Sequence, residues 1–157
     1  MAILVWLPDD VADPHFCTRF AQLHDSAWMT HTSPLCWNDL PGAPSPGDKL
    51  ALRSSILDGG AQLVSCGDVG KPFKIILLRS GDAVLAYVNR CAHFGVPLAD
   101  KVAHLYAVPH ASLRCSVHAA RYPWSDGMCI QGDCEGESLM KIPLEVSGDD
   151  VLIAIEA

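Results

Sequence analysis

The chain has 157 residues, 50% of them hydrophobic, with 18 acidic against 11 basic side chains and a formal charge of −7. That length suits one domain with some chain left over, and that hydrophobic share can build a core without disulfide staples. An acidic chain lacks the basic face of a nucleic-acid binder, and its apolar runs are too short and interrupted for a transmembrane span.

The first seven residues are apolar but carry no basic flank and run straight into Pro8-Asp9-Asp10. They read as a strand or a packed arm, not as a leader. Asp13-Pro14 is a helix opening, with Asp as N-cap and Pro at the first helical position. Phe16, Phe20, Leu23 and Ala27 follow at helical spacing, which predicts a short helix over residues 14–24. His15, His24, His31 and Cys17 fall in the same region. They form no tight ligand pair, so they read as surface or capping histidines and one buried thiol. Residues 41–47, Pro-Gly-Ala-Pro-Ser-Pro-Gly, mark a linker. The expected division is an N-terminal extension, 1–47, and a main domain, 48–157.

From Lys49 onward the period becomes that of strands. Residues 50–52 and 61–65 are short candidates either side of Asp58-Gly59-Gly60. Residues 73–78 and 83–88 form a clearer pair around Ser80-Gly81-Asp82, a hairpin turn. Further strands are expected at 112–114 and 120–124, with a return through Met128 and Ile130 after the turn Ser125-Asp126-Gly127. A last pair, 139–146 and 151–155, flanks Ser147-Gly148-Asp149-Asp150. Many short strands joined by turns predict an all-β sandwich of small antiparallel sheets.

Two runs carry the chemistry. Cys91-Ala92-His93 leaves the 83–88 strand, and Cys115-Ser116-Val117-His118 leaves the 112–114 strand. Each places a thiolate and an imidazole in one tight loop, which closes on a metal at small entropic cost. Such a set suits one tetrahedral zinc ion or a [2Fe–2S] cluster with two Cys on one iron and two His on the other. The seven cysteines, Cys17, Cys36, Cys66, Cys91, Cys115, Cys129 and Cys134, are odd in number and lack a secretory signal. That favours thiols in a reducing, cytoplasmic setting over a disulfide scaffold.

The flanking residues resemble the Rieske family. Cys91-Ala92-His93-Phe94-Gly95-Val96-Pro97-Leu98 is similar to its first cluster loop, with Gly95 and Pro97 at the family's Gly and Pro. Cys115-Ser116-Val117-His118-Ala119-Ala120-Arg121-Tyr122 is similar to the second, and the run from Ile130 to Leu139 to the third. The resemblance covers residues 49–156 and implies a cluster-binding subdomain of two ligand loops. It also implies one [2Fe–2S] cluster per chain, held by Cys91 and Cys115 on one iron and His93 and His118 on the other. His93 and His118 would then be the electron gateway, their ionisation coupling potential to pH. No catalytic residue is assigned. The implied role is a one-electron carrier between a reductase and an acceptor such as an oxygenase. A permanently bound small subunit of a larger oxidoreductase and a zinc-stabilised interaction domain are the alternatives.

Departures from the family pattern set the expected redox poise. Val96 and Val117 stand where high-potential members carry a disulfide, and Ala120 stands where they carry a serine hydroxyl. Tyr122 keeps the family's phenol towards a ligand sulfur. One donor lost and one kept predicts the lower half of a range of roughly −150 to +300 mV. Ala119 replaces the usual Gly, at a cost if φ is positive. Cys129 and Cys134, beside the third loop, could form a disulfide or supply a spare ligand, but read first as buried free thiols, and His104 and His110 read as surface residues. Trp124 and Phe94 suit either the core or an apolar docking rim.

Overall fold

The run Phe73-Lys74-Ile75-Ile76-Leu77-Leu78 puts large apolar side chains on both faces of one strand, so it needs cover on both sides. The computed structural model, which describes residues 36–117 and 119–155, supplies it. Among the described residues ten strands form three antiparallel sheets: β1 (Lys49–Leu52), β2 (Ala61–Cys66), β3 (Phe73–Ser80), β4 (Ala83–Val88), β5 (Tyr106–Val108), β6 (Ser112–Arg114), β7 (Arg121–Pro123), β8 (Lys141–Ile142), β9 (Leu144–Ser147) and β10 (Asp150–Ile153). Their orders are β1-β10-β9, β2-β3-β4-β8 and β5-β6-β7. The fold is therefore all-β, as the pattern predicts.

The alternation along β3 divides the interior in two. Ile75 and Leu77 face a core with Trp37, Leu50, Val151 and Ile153 from outside the central sheet. Ile76 and Leu78 face the other way, into a core that contains Cys91, Cys115, Tyr122, Cys129 and Cys134. The register keeps β4 in step: Ile75 pairs with Val88 and Leu77 with Ala86, while Ile76 pairs with Tyr87 and Leu78 with Leu85. All four central β3 side chains, Ile75 to Leu78, are fully buried. The central sheet is thus a wall with the thiol-bearing subdomain on one side and the β1-β10-β9 sheet on the other.

The predicted strand over 139–146 is divided by Pro143. Without an N–H, proline cannot continue a ladder. The residues before it pair with β4, and those after it pair with β10, so the chain changes sheet at this point. The expected return strand through Met128 and Ile130 reduces to two isolated bridges, Arg121–Gln131 and Met128–Ser138. Left-handed Gly127 and Gly132, with φ of 69° and 117°, bend the backbone out of extended geometry on either side.

The chain divides into two compact units, Met1–Leu35 and Cys36–Ala157, and the described residues belong to the second. Trp37 begins a 3-10 turn, Trp37–Asp39, and is buried. The helix expected over 14–24 lies outside the described residues; among the described residues the helical elements are 3-10 turns. Among the described residues no helix is long and apolar enough to cross a membrane. Cys36 is disulfide-bonded, which corrects the expectation of thiols throughout.

Candidate metal centre

The two ligand runs fold into the same loop. In the first, the Cys91 N–H donates to the Val96 carbonyl (2.7 Å) and the Gly95 N–H to the Cys91 carbonyl (2.9 Å). In the second, the Cys115 N–H donates to the Ala120 carbonyl (2.9 Å) and the Ala119 N–H to the Cys115 carbonyl (3.1 Å). The offsets from each cysteine are identical. The fifth residue of each loop is left-handed, Gly95 at φ 66° and Ala119 at φ 58°. Ala119 therefore holds the strained conformation that its replacement of glycine predicts.

Each loop is anchored at its base. The Asn89 side chain at the end of β4 is buried, donating to the Ala99 carbonyl (2.7 Å) and accepting from the Ala99 N–H (3.2 Å). That pair closes the first loop around Pro97 and buried Leu98. The Ser116 N–H donates to the Leu98 carbonyl (3.3 Å), tying the second loop to the first. The third loop rests against the second: a Cβ on Gly132 would lie 3.0 Å from the Ala120 Cα. Arg90 covers the first loop, its guanidinium Nε 2.6 Å from where a Gly95 Cβ would be. The sequence reading assigned Arg90 no role.

Cys91 and Cys115 are both buried, at 1% and 2% exposure. His93 is half-buried with its Nδ1 atom enclosed, and the Phe94 ring lies against the imidazole at a centroid distance of 3.8 Å. His118 lies outside the described residues. Among the described residues no three His, Cys, Asp or Glu side chains converge as a single-ion site.

Tyr122 is fully buried, with its hydroxyl 3.1 Å from the Cys91 Sγ and 3.1 Å from the Cys134 Sγ. Burial, then the contacts with Cys134 and Cys91, push the phenol well above its usual range, so it stays protonated and able to donate. Cys134 in turn lies 3.0 Å from the Cys129 Sγ. Burial and the Cys129 contact push the Cys134 thiol up to about 11. Residues 91, 122 and 134 come together only through the tertiary fold, and the contact of Tyr122 with Cys134 is not among the expectations.

The remaining candidates separate cleanly. Trp124 is core, 3% exposed, and its carbonyl accepts from the Tyr87 hydroxyl (2.7 Å), whereas Phe94 is 68% exposed. Val117, on the second loop, is 64% exposed. His110 is a surface residue, its Nδ1 2.9 Å from the Ser80 hydroxyl.

The donor set fits a two-iron cluster. Two buried thiols open two matching loops, an enclosed imidazole nitrogen accompanies one of them, and a buried hydroxyl lies 3.1 Å from one sulfur. The profile of the Rieske [2Fe–2S] domain matches residues 50–146. No curated protein matches the sequence. Among solved structures, the ferredoxin of carbazole 1,9a-dioxygenase from Nocardioides aromaticivorans IC177 is 20% identical, with TM-score 0.55, over 71% of this chain and 100% of that one. The Sphingomonas yanoikuyae B1 ferredoxin is 16% identical, with TM-score 0.54, over 70% of this chain and 99% of that one. The terminal oxygenase of carbazole 1,9a-dioxygenase from Novosphingobium sp. KA1 is 22% identical, with TM-score 0.56, over 70% of this chain but 30% of that one. At these identities the likeness is one of fold.

Proposed function

Because this chain belongs to the Rieske [2Fe–2S] domain family, whose cofactor is a [2Fe–2S] cluster, we propose that it is a one-electron carrier. In this reading Cys91 and Cys115 hold one iron, and His93 and His118 the other. The observation that carries it is the pair of loops closed by the same hydrogen bonds, each opening on a buried cysteine. When bound, the cluster supplies a one-electron couple. The chain's own residues bind and tune it. Tyr122 donates to the Cys91 sulfur and so favours the more negative, reduced state. The His93 imidazole is held against the Phe94 ring. Phe94 and Val117 give an exposed apolar rim beside the two loops, suited to a transient redox partner.

Donor and acceptor are read by analogy. The ferredoxin it is similar to serves carbazole 1,9a-dioxygenase, so an oxygenase is the acceptor we infer and a reductase the donor. The buried thiols at the site support a reducing, cytoplasmic setting, and the Cys36 disulfide counts against it. The test is iron and acid-labile sulfide content after expression with iron supplied. The wild type and the surface control His104→Ala should hold equal iron and sulfide and be red-brown. Cys91→Ala, Cys115→Ala, His93→Ala and His118→Ala should each lose most of both. A colourless wild-type protein holding zinc and no sulfide overturns the reading.

A further inference from the structure

Behind Cys91 lies a pair of cysteines that the electron-carrier reading does not use. The Cys134 and Cys129 sulfurs are 3.0 Å apart, with exposures of 1% and 2%. Their backbones are fixed by a shared turn. The Cys129 N–H donates to the Glu137 carbonyl (2.7 Å), the Gly136 N–H to the Cys129 carbonyl (3.1 Å), and the Glu137 N–H to the Cys134 carbonyl (3.0 Å). A disulfide needs its sulfurs roughly 1 Å closer than this. Residues 130–133 and 135–138 are all exposed, so the thiols lie beneath one short surface loop, and a local opening admits a small reagent.

As an iron ligand Cys91 is a thiolate and only accepts, so the Tyr122 O–H must point to it. The Gln131 carbonyl also only accepts, so the Cys129 S–H, 3.3 Å away, points there. The Cys134 S–H then has two acceptors, the Tyr122 oxygen at 3.1 Å and the Cys129 sulfur at 3.0 Å, and oxygen is the stronger. A donor into the phenol oxygen polarises the phenol's own O–H and strengthens its bond to Cys91.

We infer that Cys129 and Cys134 are a redox-active dithiol, a modification site whose oxidation to a disulfide lowers the potential of the metal centre through Tyr122. The oxidant is a low-molecular-weight disulfide. One cysteine attacks it, forming a mixed disulfide and releasing one small thiol. The second cysteine attacks the protein sulfur of that bond and releases the other. One S–S bond is broken and one formed. The two protein sulfurs are oxidised, the two small sulfurs reduced, and the two protein S–H protons are balanced by those on the released thiols. Cys134 then has no proton to give Tyr122. The second half of the inference rests on Cys91 being a ligand; the first half does not.

The test uses the full iron-loaded chain, equilibrated anaerobically in glutathione buffers of graded oxidised-to-reduced ratio. Alkylation after unfolding, with peptide mapping, reads the dithiol, and protein-film voltammetry reads the potential. In the wild type, Cys129 and Cys134 should become protected together, the potential should fall, and a reducing buffer should reverse both. Cys134→Ser keeps an O–H donor but cannot form the bridge, so its potential should ignore the buffer. Both thiols remaining open to alkylation in the most oxidising buffer overturns the inference. Protection without a fall in potential overturns the coupling. If Cys91→Ala keeps its full iron and sulfide, the ligand reading fails while the alkylation result still decides the dithiol.

Discussion

The Tyr122 hydroxyl sits between two sulfurs, 3.1 Å from each, in a site with no water exposure. A hydrogen bond to a ligand sulfur is worth more when the metal centre carries the extra electron. Taking that difference as about 1–2 kcal/mol, Tyr122→Phe should lower the potential by roughly 40–90 mV. Voltammetry checks this, and an unchanged potential would remove the hydroxyl from the account. Ala119 gives a second residue-level test. At φ 58° its Cβ crowds its own backbone, and Ala119→Gly should stabilise the fold by about 1 kcal/mol in thermal or denaturant unfolding. The reverse change in the first loop, Gly95→Ala, adds the same strain and also pushes into the Arg90 guanidinium. These contacts were legible to different degrees. A Cys-x-His or Cys-x-x-His run is local, so sequence displays it. The Cys91–Tyr122–Cys134 chain joins residues 31 and 12 positions apart, and no local pattern announces such a contact.

At the scale of elements, the hairpin of β3 and β4 was readable because its alternation is strong and Gly81, at φ 61°, supplies the left-handed turn. β5 was missed: three residues with an exposed, half-buried, exposed pattern carry little signal. The β8–β9 division was also missed, although Pro143 stood in the middle of the expected strand. The β9–β10 turn makes its own prediction. The Asp149 carboxylate accepts from the Ser54 hydroxyl and backbone N–H. These bonds, the hydroxyl's first, hold the carboxyl below its usual value of 3.8. A group whose pKa is depressed by folding stabilises the fold above its unfolded value, and that contribution is lost as pH falls through the folded value. Asp149→Asn should therefore melt below the wild type at pH 6–7, and the two curves should converge as the pH falls through the carboxyl's lowered pKa. A gap that stays constant across that range would mean the carboxylate's charge contributes nothing.

For the whole molecule, the central sheet separates two tasks. One face packs against β1-β10-β9 and gives rigidity, while the other supports the loops that bear Cys91, His93 and Cys115. The Ser116 N–H to Leu98 carbonyl bond ties the second loop to the first across the 21 residues between His93 and Cys115. The central claim is that two thiolates and two imidazoles hold one two-iron cluster. Pulsed electron paramagnetic resonance on the dithionite-reduced, iron-loaded protein tests it most directly. The account predicts a rhombic signal with couplings to two imidazole nitrogens, one of them lost in a His93→Cys variant that retains iron. A reduced protein with no such signal, or a signal without nitrogen coupling, would contradict it.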